Sequence, residues 1–405
     1  MGTQNTIANT IAHHEPRPLI QRELQSEILR AAREMPAVGI TGPRQSGKTT
    51  LARMTFPDKP YVTLEDLDIR RFAEEDPRGF LNQFPDGAIL DEIQRVPDLF
   101  SYLQSNLDNS RQTGRFILTG SQQFGLMQGV TQSLAGRIAL TTLLPLSLSE
   151  LKRSSRIEQN LNQWLFRGGY PRLYDQAERI HAWHRDYTST YVERDVRQLV
   201  NVRDLRDFFR FIQLCAGRSG QLLNASSLAK DVGVNHETIR TWISVLEASY
   251  IIHLLYPHHR NFNKRIIKAP KLYFVDTGLM CYLLGIDSGE QIQTHHLRGA
   301  IFETFVVSEM LKNRLNSGSR NNLYFWRDRA GHEVDVIIEE GQKLVPVEIK
   351  SGRTIASDYT RSLDWWRGVA GEEAGPARLI YGGDKTLKIK DVQYVSWWEL
   401  PWYAG

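Results

Sequence analysis

The chain has 405 residues, of which 41% are hydrophobic and 24% charged, with a formal net charge of +4. That length exceeds what one hydrophobic core usually serves and predicts two or three domains, and with no apolar run near the roughly 18 residues of a membrane span it predicts a soluble protein with no membrane partner. The mild positive charge permits nucleic-acid binding without arguing for it, and the two cysteines, Cys215 and Cys281, are too few for a disulfide framework and fit a reducing, cytoplasmic home.

Residues 1–20 are polar and are expected to form a flexible tail; its start, Met1-Gly2-Thr3-Gln4-Asn5-Thr6, fits a myristoylation pattern that is common by chance. From Leu19 to Glu34 the spacing of Ile20, Leu24, Ile28 and Leu29 predicts a helix, broken by Met35-Pro36 before the apolar run Ala37–Thr41, a buried strand. That strand runs directly into Gly42, Pro43, Arg44, Gln45, Ser46, Gly47, Lys48, Thr49 and Thr50. A glycine-rich turn entering a helix aims converging backbone N–H groups and the positive end of the helix dipole at a triphosphate. Lys48 is then placed to reach the β- and γ-phosphates and the Thr49 hydroxyl to ligate Mg²⁺, so the expected cofactors are ATP and Mg²⁺.

Further short strands are predicted at Tyr61–Leu64, Ala88–Leu90, Phe116–Leu118 and Ile138–Leu143, with helices between them, which implies a parallel sheet covered on both faces. The second of these apolar runs, Ala88–Leu90, ends in Asp91 and Glu92: Asp91 is expected in the Mg²⁺ shell, and Glu92 is placed to polarise the attacking water. Thr119 and Ser121, at the polar end of the next strand, are both candidates to contact the γ-phosphate. Arg137, in Leu134-Ala135-Gly136-Arg137, is a candidate finger for a neighbouring subunit's site; the alternative is a surface arginine at an interface.

From Leu151 to about Phe211 the pattern is helical, interrupted at Arg167-Gly168-Gly169-Tyr170-Pro171 and carrying i,i+4 pairs such as Glu193 with Arg197, as expected of a small helical lid. A short capped helix, Leu223–Val232, a tight turn, Gly233-Val234-Asn235, and a helix, His236–Ala248, have helix-turn-helix spacing. Asn235, His236, Thr238 and Arg240 would then meet DNA, with Arg260, Lys264, Arg265 and Lys268 on a basic wing from Pro257 to Lys268; such modules also bind proteins. Near the end, a helix from Leu297 to Leu311 contains Glu303, a strand covers Asn322–Trp326, and Glu333–Ile338 and Lys343–Lys350 form a hairpin. Asp335, Glu348 and Lys350 on neighbouring strands make a D…E-x-K constellation. Asp335, Glu348 and Glu303 are candidate Mg²⁺ ligands, and Lys350 is the candidate to activate a water, in a site either live or relic.

Taken together, the P-loop Gly42–Thr49, Leu90-Asp91-Glu92-Ile93-Gln94, Leu118-Thr119-Gly120-Ser121, Leu134-Ala135-Gly136-Arg137, Gly168-Gly169-Tyr170-Pro171, Val275-Asp276-Thr277-Gly278-Leu279 and Glu333-Val334-Asp335 resemble the bacterial and archaeal AAA-type ATPases whose C-terminal half is a domain of unknown function with a restriction-endonuclease-like fold. The resemblance runs from about Gln21 to Trp398. It implies an α/β chain with an AAA-type P-loop core (residues 21–150), a helical lid (151–210), a winged helix-turn-helix (211–285) and a PD-(D/E)xK nuclease-like domain (286–405). The expected function is an ATP-hydrolysing, DNA-binding homo-oligomer, a ring such as a hexamer, that translocates on or remodels DNA while its last domain binds it, with cleavage by that domain left open. The alternative is a nucleotide-gated switch or scaffold recruiting protein partners through an inactive nuclease fold. A third reading makes the ATPase a licence for cutting by a metal-dependent nuclease.

Overall fold

The computed structural model describes residues 19–110, 112–121, 133–157, 159–175, 179–191, 205–259 and 267–400. Leu24, Ile28 and Ala31 lie on one buried face of helix α1 (Leu24–Glu34). The helix starts later than its apolar spacing predicts because Arg22 and the Glu23 amide bond to the distant Glu150 instead of opening a helical turn. The core then runs β1 (Ala37–Thr41), α2 (Lys48–Thr55), β2 (Tyr61–Thr63), α3 (Leu67–Glu75), α4 (Pro77–Asn82), β3 (Ile89–Asp91), α5 (Leu99–Asp108), β4 (Phe116–Thr119) and β5 (Ile138–Thr142). Its five strands are all parallel, in the order β2-β3-β4-β1-β5. Strand alternation divides the sheet's apolar side chains between two layers. Leu90 and Leu118 pack with Phe80, Phe100 and Leu103 on one face, whereas Val38, Ile40, Ile89 and Ile117 meet Leu24, Ile28 and Leu51 on the other.

After the core come α6 (Leu148–Arg153), α7 (Leu161–Arg167), a 3-10 turn (Pro171–Tyr174), α8 (Ile180–Tyr191), α9 (Leu205–Ala216), α10 (Ala225–Val232) and α11 (His236–Ala248). The pair Glu193 and Arg197 lies outside the described residues. Asn224 and Asn235 cap α10 and α11 by accepting from the Ser227 and Thr238 amides at 2.9 and 2.7 Å, and Gly233 turns the chain between them in the left-handed region at φ 91°. Strands β6 (Ile252–Leu255) and β7 (Lys271–Phe274) pair antiparallel.

Helices α12 (Thr277–Leu283), α13 (Gly289–Ile292) and α14 (Arg298–Asn316) lead into a second sheet. Its strands are β8 (Leu323–Arg327), β9 (Glu333–Glu340), β10 (Lys343–Lys350), β11 (Ala377–Tyr381), β12 (Leu387–Ile389) and β13 (Val392–Ser396), in the order β12-β13-β11-β10-β9-β8, with α15 (Arg361–Ala370) crossing from β10 to β11. The outer edge of β8 is covered: the His258 amide donates to Phe325 O and the Ile267 amide to Arg327 O, so the two ends of the basic segment attach to this sheet. One apolar core runs from Leu146 through α7 to α12, past α14, to the inner face of the second sheet and Leu400. Trp366 and Trp397 are buried within the C-terminal part, as packing residues. Among the described residues no helix is long and apolar enough to cross a membrane.

Candidate functional site

The loop between β1 and α2 is built on two glycines. Gly42 holds φ 140° with the Leu143 carbonyl where a Cβ would stand, and Gly47 holds φ 95° at the mouth of α2. Lys48 folds back over the loop, its Nζ donating to Gly42 O at 3.0 Å and Pro43 O at 2.8 Å, the positions from which a phosphate would draw it. The strands on either side of β3, β2 and β4, together with the start of α2, bring three hydroxyls onto Asp91. Thr49 donates at 3.0 Å, Tyr61 at 2.9 Å, and Thr119 bonds the same carboxylate. Burial, and then the neighbouring carboxylate, push the Tyr61 phenol up to about 12, so it remains a donor. Glu92 sits in the left-handed region at φ 56°, unusual for a residue with a side chain, and accepts from Ser121 at 3.2 Å and from Gln94. Thr119 therefore serves Asp91, and Ser121 serves Glu92.

A cavity of about 760 Å³ opens over this loop, lined on one side by Arg44, Gln45, Gly47, Lys48, Thr49, Thr50, Glu92 and Ser121, and on the other by Arg172, Asp175, Tyr187, Thr190 and Tyr191. Its size suits a nucleoside triphosphate. Hard oxygen donors, the Thr49 hydroxyl and the Asp91 carboxylate, stand beside the phosphate loop, a set that fits Mg²⁺ completed by phosphate and water oxygens. Pro43 and Ser46 shape the loop from behind, and Ser46 is wholly buried. Sequence reasoning missed Arg172, although it directly follows Gly168-Gly169-Tyr170-Pro171, and it missed Tyr61, whose only signal is a polar tip on a strand beside Asp91.

Arg137 is held within its own chain, its Nε and Nη2 donating to the Asp108 carboxylate at 2.5 and 3.0 Å. It precedes β5 at the end of the sheet remote from the loop, since its carbonyl accepts from Ala37, the first residue of β1. Roughly 15 Å of strand therefore separates it from its own phosphate loop.

In the second sheet, Asp335 on β9 accepts from the Ile349 amide of β10 at 2.9 Å. Glu348 accepts from Lys350 at 2.5 Å and Ser362 at 2.6 Å. Glu303 on α14 is taken by Tyr273 at 2.6 Å and by the buried Lys271 at 3.1 Å, and Lys271 also pairs with Glu333. Burial and the nearby Glu303 and Glu348 raise the Asp335 carboxyl well above the usual range, while Glu348 raises Lys350 against the effect of burial. The three acids are thus neighbours, but each has its own protein partner, and among the described residues no group of three His, Cys, Asp or Glu side chains is arranged to hold a metal ion. Of the expected DNA contacts, His236 and Arg240 are exposed on α11, Thr238 is half-buried and Lys268 is exposed. The Asn235 side chain is spent on its helix cap, and Arg260, Lys264 and Arg265 lie outside the described residues.

Residues 34–152 match the model of an AAA domain, and residues 158–290 and 298–400 match two domains of unknown function, DUF8612 and DUF4143. The uncharacterized protein Rv2008c of Mycobacterium tuberculosis is 31% identical over 376 residues, 92% of this chain and 82% of its own length. The chain belongs to its family. A more distant relative of the family, the uncharacterized protein MJ1544 of Methanocaldococcus jannaschii, is 23% identical over 76% of this chain and 73% of its own length. Among solved structures, the Walker-type ATPase paby2304 of Pyrococcus abyssi is similar over 66% of this chain and 99% of its own, at 15% identity and a TM-score of 0.47. The core of this family member is an AAA-type P-loop ATPase domain.

Proposed function

We propose that the protein is a DNA-stimulated ATPase of the AAA type that translocates on or remodels DNA as a homo-oligomer. The observation that carries the ATPase part is the cavity itself, with Lys48, Thr49 and Glu92 on one wall and Arg172 and Tyr187 on the other. Bound Mg²⁺ would screen the phosphates. Lys48 would bind β- and γ-oxygens, Thr49 and Asp91 would hold the cation shell, and Glu92, oriented by Ser121 and Gln94, would take a proton from the attacking water. Residues 21–150 form the ATPase core in this reading, 151–210 the lid, 211–285 a winged helix-turn-helix and 286–405 a restriction-endonuclease-like domain. The two capped helices α10 and α11, followed by the pair β6 and β7, support the winged-helix assignment; exposed His236, Arg240 and Lys268 support DNA as its partner. The order of β8 to β13 around α14 supports the nuclease-like one. Because Lys271 neutralises Glu303 and Lys350 neutralises Glu348, we assign this domain to gripping DNA rather than cutting it.

The second reading, a nucleotide-gated switch that recruits proteins, is favoured by the unbroken core from Leu146 to Leu400. Steady-state ATP hydrolysis without DNA and with single-stranded, duplex and forked DNA separates the two, with Lys48→Ala as the blank. Stimulation by one DNA form is expected. Turnover indifferent to DNA, together with no shift of DNA in a gel, would move the assignment to the switch. Glu92→Gln is expected to bind ATP and fail to turn it over; normal turnover would refute the role given to Glu92.

A further inference from the structure

Arg22 belongs to no motif and to none of the site residues assigned above, yet its buried guanidinium has all three nitrogens engaged. Nε donates to Glu150 at 3.0 Å, Nη2 to the Leu144 carbonyl at 2.6 Å and Nη1 to the Ser46 carbonyl at 2.7 Å. The last bond enters the phosphate loop from behind. Ser46 and Gly47 share one peptide, and in a trans peptide the C=O and N–H point in opposite directions. A guanidinium that fixes the Ser46 carbonyl on the closed side therefore turns the Gly47 N–H toward the open side, where Gly47 lines the cavity. Gly47, at φ 95° with no side chain, offers little resistance of its own to a flip of that peptide. A flipped peptide would present a carbonyl oxygen to the phosphates.

We propose that Arg22 is a positioning residue for nucleotide binding, which locks the Ser46–Gly47 peptide with its N–H toward the β-phosphate. The inference rests on the ATPase reading of the cavity. The planar fork is needed because Leu144 lies just past the end of β5 and Glu150 in the first turn of α6, so three fixed acceptors set the plane of the guanidinium; a lysine ammonium cannot span them. The lock also ties the loop to α6, whose N-terminus is held by Glu150 in a capping box with Ser147.

The test titrates the full chain with fluorescent ADP and ATP analogues and measures KM and kcat, for wild type, Arg22→Lys and Arg22→Gln, each first checked for fold by circular dichroism. Loss of a charge-assisted bond predicts that Arg22→Gln weakens ADP and ATP together by about 10- to 100-fold, with their ratio unchanged, KM raised more than kcat is lowered, and Arg22→Lys in between. A merely structural role would lower thermal stability without this split. ADP affinity within twofold of wild type in folded Arg22→Gln overturns the inference; if that variant does not fold, the same result in Arg22→Lys, which keeps the charge and loses the fork, overturns it. A wild type that binds neither nucleotide strikes at the ATPase reading itself, and is distinguished by needing no variant.

Discussion

Asp91 collects hydroxyls from three separate elements, Thr49 from α2, Tyr61 from β2 and Thr119 from β4. Such over-determination fixes the carboxylate where a cation would be held, so losing one donor should loosen the geometry without unfolding the sheet. Tyr61→Phe is expected to lower kcat about 3- to 10-fold with thermal stability near wild type, as read from steady-state hydrolysis and a melting curve. Away from the site, His253 on β6 has its Nε2 buried without a partner, and burial pushes its imidazole down to about 4. The unfolded chain takes up a proton as pH falls through about 6.5, whereas the folded chain does so only near 4, so the contribution of this group is full above 6.5 and is lost between those values. His253→Leu should therefore gain on wild type as pH falls across that window, by up to about 3 kcal/mol, and equal pH slopes for the two melting curves would show that the ring is not held neutral. The loop residues, Asp91 and Glu92 were legible from local order alone. Tyr61, Arg172 and Arg22 were not, because their roles depend on what stands opposite them.

At the scale of elements, the bounds of α10 and α11 lie within two residues of those expected from the sequence, since Asn224, Gly233 and Asn235 are local signals for caps and turns. The cap signal at Asn235 competes with its assignment as a DNA contact, and the structure shows the side chain accepting from the Thr238 amide. Asn235→Ala should therefore cost about 1 kcal/mol in urea unfolding. In a gel shift it should weaken DNA binding less than Arg240→Glu, which reverses an exposed charge on the same helix; the opposite order would return Asn235 to the interface. Helix α14 runs to Asn316, beyond the Leu311 that its apolar spacing predicts. Lys312 and Arg314 interrupt the apolar period and are nonetheless buried, because Lys312 donates to Leu146 O and Glu309, and Arg314 donates to Asn322. Two motifs that looked separate in the chain are one joint: Asp276 accepts from the Gly169 amide at 2.7 Å while capping α12 through Leu279, and Gly278 packs against the Arg167 carbonyl with no room for a Cβ.

Over the whole molecule, the position of Arg137 bears on the proposed assembly. It is held by Asp108 at the end of the sheet remote from its own loop, so under the proposed finger role the nucleotide it serves would be a neighbouring protomer's. Arg137→Ala, like Lys48→Ala, is expected to be inactive alone, and mixing the two kinds of protomer should restore part of the hydrolysis, because an intact P-loop would then face an intact Arg137; an active Arg137→Ala, or no recovery at any ratio with mixed oligomers verified by crosslinking, would leave Arg137 as a surface residue tied to Asp108. Buried polar links also join the core to the far end of the chain. Glu309 on α14 accepts from the Leu148 amide at 2.7 Å, next to the capping box that holds Arg22. By itself the sequence determined the phosphate loop, the acids at the strand end and the alternation of strands and helices, because each is written in residues adjacent along the chain and obeys short-range rules of turn, period and charge. Only the tertiary structure decided that β4 stands between β1 and β3, that Lys271 lies among the C-terminal acids, that Arg137 is paired, and that Arg22 backs the loop. Those facts arise from residues tens to hundreds of positions apart, brought together by burial of a shared core, and no local pattern carries them.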